Sequence, residues 1–443
     1  MSQDETPKAS QNRREEIAGV AVLVALIIGA IAYFVGYENP IDNGKRPIVA
    51  TGEYHSLALT SEGKLYAAGD NFNGQLGLGD TKNRNAFTLV SSLRDKEIVA
   101  IAAGYAHSLA LDSGGKLYAT GFNADGQLGL GDKIGRETWA FVSSLKGKKI
   151  VAVAASFNYS LALDSEGKIY AAGYNRYDSI GLGDNANNNL FTLIPPFADK
   201  KIVAIAAYFN RYLAIDSKGK LYATGSNDAG QLGLGDRAYR HAFTLVDSLE
   251  GKKIVAVATG TWHSLALTSD GKVYATGSNA NGQLGLGDKI GRETWAFVSS
   301  LSDKRITRVA AGHFHSLALD SDGNLYAAGY NHENRLGFGD NANNNLFTLI
   351  PPFADKKIVE IATNHAYSLA LDSDGKIYAT GCNDLGQLGL RDNVNRKTWT
   401  LVSATTNNDD AISLTEGKCD IDYLGFGDRY DLEKFAFAPL LKR

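Results

Sequence analysis

The stretch Ala102-Ala103-Gly104-Tyr105-Ala106-His107-Ser108-Leu109-Ala110-Leu111 decides how this chain is read, because a version of it returns every 52 residues. Versions include Thr51-Gly52-Glu53-Tyr54-His55-Ser56-Leu57, Thr259-Gly260-Thr261-Trp262-His263-Ser264-Leu265 and Ala311-Gly312-His313-Phe314-His315-Ser316-Leu317. A second marker keeps the same step: Gly69 is followed by Gly121, Gly173, Gly225, Gly277, Gly329 and Gly381. Seven units therefore fill residues 46–409 without an insertion. A fixed period of this length marks one body grown from repeats, which overrides the two or three domains that the length alone suggests.

Each unit predicts four short strands. In the second, Ile98-Val99-Ala100-Ile101-Ala102-Ala103 is an apolar, β-branched run, residues 108–112 and 116–120 alternate, and residues 139–143 follow a long turn. No 3.6-residue apolar period appears. Four strands in each unit of about 50 residues predict an all-β fold, a seven-bladed β-propeller of four-stranded blades. Ala102, Ala103 and Gly104 suit its crowded axis, and Leu109, Leu111 and Leu117 suit the layer between blades. Residues 410–443 retain Leu424-Gly425-Phe426-Gly427-Asp428 and read as a degenerate partial unit, expected to close or cap the ring.

Apolar residues make up 44% of the chain and glycines number 48, which fits many strands joined by tight turns and excludes disorder. Net charge is -3 with both signs interspersed, so the electrostatic footprint of a nucleic-acid binder is missing. Cys382 and Cys419 are too few for a disulfide framework and lack the paired spacing of a zinc site. They read as two free thiols or as one bridge tying the tail to the last unit.

Ahead of the repeats, residues 1–16 form a short tail, and an uncharged run begins at Ile17 and ends at Tyr37. A helix of that length crosses a hydrocarbon core of about 30 Å, so residues 17–37 are expected to be a transmembrane helix, with 38–45 as linker. Arg13 and Arg14 just before it place the N-terminus in the cytoplasm and the propeller outside it, in a periplasm or at the cell surface. Cleavage after Ala30-Ile31-Ala32 would instead give a secreted protein.

The turn Gly74-Gln75-Leu76-Gly77-Leu78-Gly79-Asp80 also recurs, at 126–132, 230–236 and 282–288, with departures at Ser179-Ile180, Asn334-Arg335 and Arg391. With the His-Ser segment in register, the chain resembles the regulator of chromosome condensation repeat family, here as a membrane-anchored, bacterial member. The resemblance implies a seven-bladed propeller, in agreement with the strand count. The family's namesake is a nucleotide-exchange factor for a small GTPase that works through a wedge-like insertion in one blade, and no unit here has room for one. Bacterial effectors resembling the family act on GTPases, which keeps exchange as an alternative. A secreted bacterial propeller of this type inhibits β-lactamases through aromatic loops. The plant ultraviolet-B receptor of the family needs clustered tryptophans with arginines. Here Trp139, Trp295 and Trp399 share one slot with Phe87, Phe191, Phe243 and Phe347, so these rings read as core.

Candidate chemistry is sparse. The third place after the motif Gly holds His55, His107, Tyr159, Arg211, His263, His315 and Tyr367. Arg211 breaks any ring of imidazoles, so a His here is expected to bond a neighbouring backbone group and lock a turn. Asp80, Asp132, Asp184, Asp236, Asp288, Asp340 and Asp392 close the long turns, where carboxylates accept backbone N–H groups more readily than they hold calcium. No nucleophile elbow, metalloprotease helix or phosphate loop is present, and no catalysis, cofactor or metal is expected.

The chain compared with itself is more telling. Residues 126–145 and 282–301 are identical, as are 190–203 and 346–359, which marks duplication of a three-unit block. Between the copies, two slots changed. The first carries Tyr54, Tyr105, Phe157, Asn158, Phe209, Arg211, Trp262, His313, Phe314 and His365; the second carries Phe72, Arg176, Tyr177 and His332. Such side chains at loops predict a recognition surface for an unidentified protein partner, with a glycan-binding adhesin as a further alternative.

Overall fold

The computed structural model describes residues 47–175, 185–195, 200–351 and 356–402. Their strands form seven four-stranded antiparallel sheets, each built from consecutive strands. Blade 1 consists of β1 (Ile48–Thr51), β2 (His55–Leu59), β3 (Leu65–Gly69) and β4 (Arg84–Leu89), and the pattern repeats to blade 7, β25 (Ile358–Thr363) to β28 (Arg396–Leu401). The expected seven-bladed propeller is what the chain forms.

Burial explains the strand sequences. First strands such as Ile98–Ala103 are covered on both faces, which is why they read as continuous apolar runs with alanines. Outer strands face solvent: in Arg136–Phe141 only Trp139 is buried. That Trp lies against Gly77 of the preceding blade, where an added Cβ would sit 2.1 Å from the indole nitrogen. Phe191 lies in the same way on Gly129, and Trp399 on Gly337. The aromatic slot is therefore interblade core, as its interchangeability predicted.

The marker glycine ending each third strand has its own cause. Gly121 adopts φ 103°, and a Cβ there would lie 2.5 Å from the carbonyl oxygen of Ala106. The third strand can thus fold tightly under the first turn, and pairing with the fourth strand resumes only after a register shift between Ala119 and Gly121.

The ring closes without exchanging a strand. Blade 7 reaches blade 1 through Asn364 Nδ2, which donates to the Thr51 carbonyl at 2.9 Å, and the Tyr367 hydroxyl, which donates to the His55 carbonyl at 2.6 Å. Ala86 and Leu390 add an antiparallel bridge. Closure is thus made between residues 48 and 402, and the partial unit at 410–443 lies outside the described residues. So does the run at 17–37; among the described residues no helix is long and apolar enough to cross a membrane. Cys382 is buried and disulfide-bonded, which agrees with the bridged reading, and Cys419 lies outside the described residues.

Candidate binding face

Both variable slots lie on one face of the ring. The first is the turn between first and second strands, the second is the loop leaving the third strand, and antiparallel order puts these at the same end of every blade.

Beneath that face runs a belt of side-chain latches. His55 Nε2 meets Ser108 Oγ of the next blade at 2.9 Å, and the same bond joins His107 to Ser160 (2.9 Å), His263 to Ser316 (2.8 Å) and His315 to Ser368 (3.2 Å). Ser108 donates its one proton to the Gln75 carbonyl at 2.7 Å. It therefore accepts from His55, which fixes the imidazole as the Nε2–H tautomer. The expected backbone lock is thus a bond between blades, to a serine hydroxyl. Where His is missing the reach is kept: Tyr159 donates to the Phe209 carbonyl at 2.6 Å. Arg211, expected on the recognition face, is instead buried and donates to the carbonyls of Gly260, Thr261 and His263. Burial holds His55, His107 and His263 neutral, with pKa values near 3.

The latch explains the motif glycine. A Cβ on Gly104 would lie 2.3 Å from His107 Cε1, and Gly52, Gly260 and Gly312 face His55, His263 and His315 in the same way. The three units that replace this glycine, with Ser156, Tyr208 and Asn364, are the three whose latch residue is Tyr159, Arg211 or Tyr367. Freed of the imidazole, these places carry side chains that Gly lacks: Ser156 bonds the adjoining blade, and Tyr208 and Asn364 reach across the axis. The Tyr208 hydroxyl donates to Asn364 Oδ1 at 2.9 Å, joining blades 4 and 7 over the channel. Tyr208 and Asn364 were missed in the sequence; the broken glycine pattern was their signal.

Above the belt the turn residues form an arc of rings. Phe209, Phe157, Tyr105 and Tyr54 follow one another at centroid distances of 5.3, 5.0 and 6.1 Å. The arc continues to His365 (6.0 Å), His313 (4.4 Å) and Phe314 (5.2 Å). Tyr54, Tyr105, Phe157, Phe209, Trp262 and Phe314 are half-buried. In the second slot Phe72 is 63% exposed, and exposed His332 stacks on Tyr330 at 5.8 Å. Asn158 is buried and donates to Asp125 Oδ2 at 2.9 Å, tying the two slots together. Arg176 and Tyr177 lie outside the described residues. Phe209 adopts φ 52°, a left-handed conformation that costs a bulky residue about 1–2 kcal/mol, and its N–H is held by Ser156 Oγ at 2.7 Å.

One column of the repeat divides this face. The place directly after the motif glycine reads Glu53, Tyr105, Phe157, Phe209, Thr261, His313, His365. Blades 2 to 4 thus contribute rings, whereas blades 6, 7 and 1, neighbours around the closed ring, contribute His313, His365 and Glu53. The ligand-capable atoms of those three lie within 4.8 Å of one another. Burial pushes the Glu53 carboxyl up to about 8. Burial and then Arg335 hold His365 near 3. His313 is held well below the usual imidazole range by burial and then by His365. The six long-turn aspartates among the described residues accept a backbone N–H as expected: Asp80 Oδ1 accepts from Lys82 N–H at 3.0 Å, and Oδ2 pairs with Arg84 at 2.7 Å; Asp184 lies outside the described residues.

Comparison with known proteins agrees with this architecture. Residues 134–419 match the RCC1-like domain, and residues 62–111 the regulator of chromosome condensation (RCC1) repeat. The chain is 31% identical to the ultraviolet-B receptor UVR8 of Arabidopsis thaliana over 358 residues, 81% of each protein. It is 30% identical over 328 residues to the human E3 ubiquitin-protein ligase HERC2, covering 73% of this chain and 7% of that one. Among solved structures, human WBSCR16 superposes with a TM-score of 0.69 at 21% identity, covering 77% of this chain and 94% of its own. Prp20p of Saccharomyces cerevisiae superposes with a TM-score of 0.69 at 24% identity, covering 84% and 91%. These relatives are eukaryotic and lend no support to a bacterial origin. With the His-Ser latch, the Gly-Gln-Leu-Gly turn and the matched repeats in register around one ring, the chain belongs to the RCC1-like family of seven-bladed propellers.

Proposed function

We propose that this chain is a non-catalytic protein-interaction module, tethered to a membrane by residues 17–37 with its propeller on the extracytoplasmic side. The partner docks on the face built by the two variable slots. The observation that carries this reading is the arc of rings from Phe209 to Phe314 on that one face, in which Phe209, Phe157, Tyr105, Tyr54 and Phe314 are half-buried and His365 and His313 are buried beside them. Aromatic side chains supply large contact area at small entropic cost, and the latched blades hold them in place before binding. Half-buried Asp70 and Asp125 lie in the loops of the same face, so the fitting partner presents an apolar loop flanked by Lys or Arg.

The test is purification of the tagged full chain from its native membranes, beside a variant carrying Tyr105→Ala, Phe157→Ala, Trp262→Ala and Phe314→Ala. A protein held by the parent and lost from the variant, at closely similar thermal midpoints, is the expected result. A partner retained by the folded variant sinks the surface assignment. Release of labelled GDP from a partner GTPase would favour exchange instead.

A further inference from the structure

We propose that Glu53, His313 and His365 form a binding site for a divalent transition-metal ion, zinc by ligand chemistry, at the centre of the variable face. The site shares His313 and His365 with the proposed docking face, but the inference rests on ligand geometry and not on the partner-docking reading.

The three side chains come from equivalent turns of three neighbouring blades, so the closed ring, rather than any one repeat, assembles the set. His313 and His365 are 4% and 6% exposed, and the Glu53 side chain is 14% exposed. His365 Nε2 lies 4.0 Å from Glu53 Oε1, too far for a hydrogen bond and at the outer limit of an ion pair, which would in any case need a protonated His365. His313 Nδ1 is buried with no hydrogen-bond partner. A buried, unpaired imidazole nitrogen costs about 1–3 kcal/mol, and coordination to a cation would satisfy it.

The spacing suits a metal better than a hydrogen-bond network. Ligand atoms about 2.0–2.1 Å from a tetrahedral zinc lie roughly 3.4 Å apart, so atoms already within 4.8 Å reach it by small side-chain rotations. Two neutral imidazoles and a carboxylate make a His2Glu set with a fourth position left open, as in hydrolytic zinc centres. The surroundings limit the charge. Arg335, whose guanidinium donates to the His365 carbonyl at 3.2 Å, is the cation facing the site, and Glu333 lies 3.5 Å from it. Tyr208 closes the axis beside His313, with ring centroids 6.3 Å apart. The same column carries Tyr105, Phe157 and Phe209 on blades 2 to 4, and a metal ligated here would sit within the aromatic arc, between Tyr54 and Phe314.

The experiment titrates Zn2+ alone into the metal-free full chain against a chelating dye, with Co2+ absorption as the geometric readout. The expected result is one ion per chain and tetrahedral Co2+ bands. His313→Ala and His365→Ala each weaken binding by about 100-fold or more, and Glu53→Gln by about tenfold or more. Zn2+ should also raise the thermal midpoint of the parent and of His332→Ala but of none of the three site variants. Because Glu53→Gln preserves size, a loss there at an unchanged metal-free midpoint cannot be laid to misfolding. No binding tighter than about 10 µM by the folded parent, or binding left intact in His313→Ala and His365→Ala, overturns the proposal.

Discussion

Replacing Gly104 by Ser should be costly on its own and far less costly when His107 is changed to Tyr in the same chain. The added Cβ would stand 2.3 Å from His107 Cε1, 2.6 Å from Nδ1 and 2.8 Å from the Ser156 carbonyl oxygen. Overpacking of a closed site costs about 1–3 kcal/mol, and the backbone contact puts Gly104→Ser at the upper end. His107→Tyr removes the 2.9 Å bond to Ser160, a loss of about 1–2 kcal/mol, partly recovered when the new phenol reaches the next turn as Tyr159 does. The third blade already lives with Ser156 and Tyr159 in these places. The double variant should therefore be at least about 1.5 kcal/mol more stable than the sum of the two single losses. Urea denaturation of the full chain, followed by tryptophan fluorescence, gives the four midpoints of the cycle. Additivity within about 0.5 kcal/mol would refute the coupling of glycine to latch.

Acid should unlatch the ring. His107 and His263 titrate near 3 in the folded chain and near 6.5 unfolded, so the stability they support is whole above about pH 6.5 and lost as pH falls below it, by roughly 1.4 kcal/mol per pH unit each. Urea midpoints between pH 7.5 and 4.5 should drop along that slope, and less steeply in a His107→Gln, His263→Gln variant. Trp139→Phe, a ring the slot already accepts at Phe87 and Phe191, should cost under about 1.5 kcal/mol, against about 3–5 for Trp139→Ala, measured by the same melts. Arg391 holds φ 67° where the equivalent Gly79, Gly131 and Gly287 hold 86°, 91° and 88°; Arg391→Gly should raise stability by about 0.5–1 kcal/mol in calorimetry.

The ring was legible because its period is fixed, and four strand signals recur inside each period. The aromatic slot was legible for a related reason: Trp139 and Phe87 exchange at one place, which only packing tolerates. The latch was half legible. His107 and Ser108 are adjacent in the sequence, which suggests a local turn lock, yet each bonds a different blade, and a bond across 53 residues leaves no local trace. Tyr208 and Asn364, 156 residues apart, meet only once the ring is closed. The same holds for Glu53 beside His313 and His365: their column was visible, but their adjacency needed blade 7 placed next to blade 1. Arg211 misled because a large cation at a variable place resembles an exposed contact, whereas its guanidinium serves three backbone carbonyls in the core.

The central claim, that the face of variable slots meets the partner, is tested most directly by photo-crosslinking from defined positions in the full chain within its native membranes. A photoreactive phenylalanine analogue is introduced at Phe72 or Tyr105 on that face, or at Lys116 on the opposite face, between the second and third strands of blade 2. The account predicts one discrete adduct from Phe72 and from Tyr105 and none from Lys116. The same adduct from Lys116, with none from the other two, would contradict it.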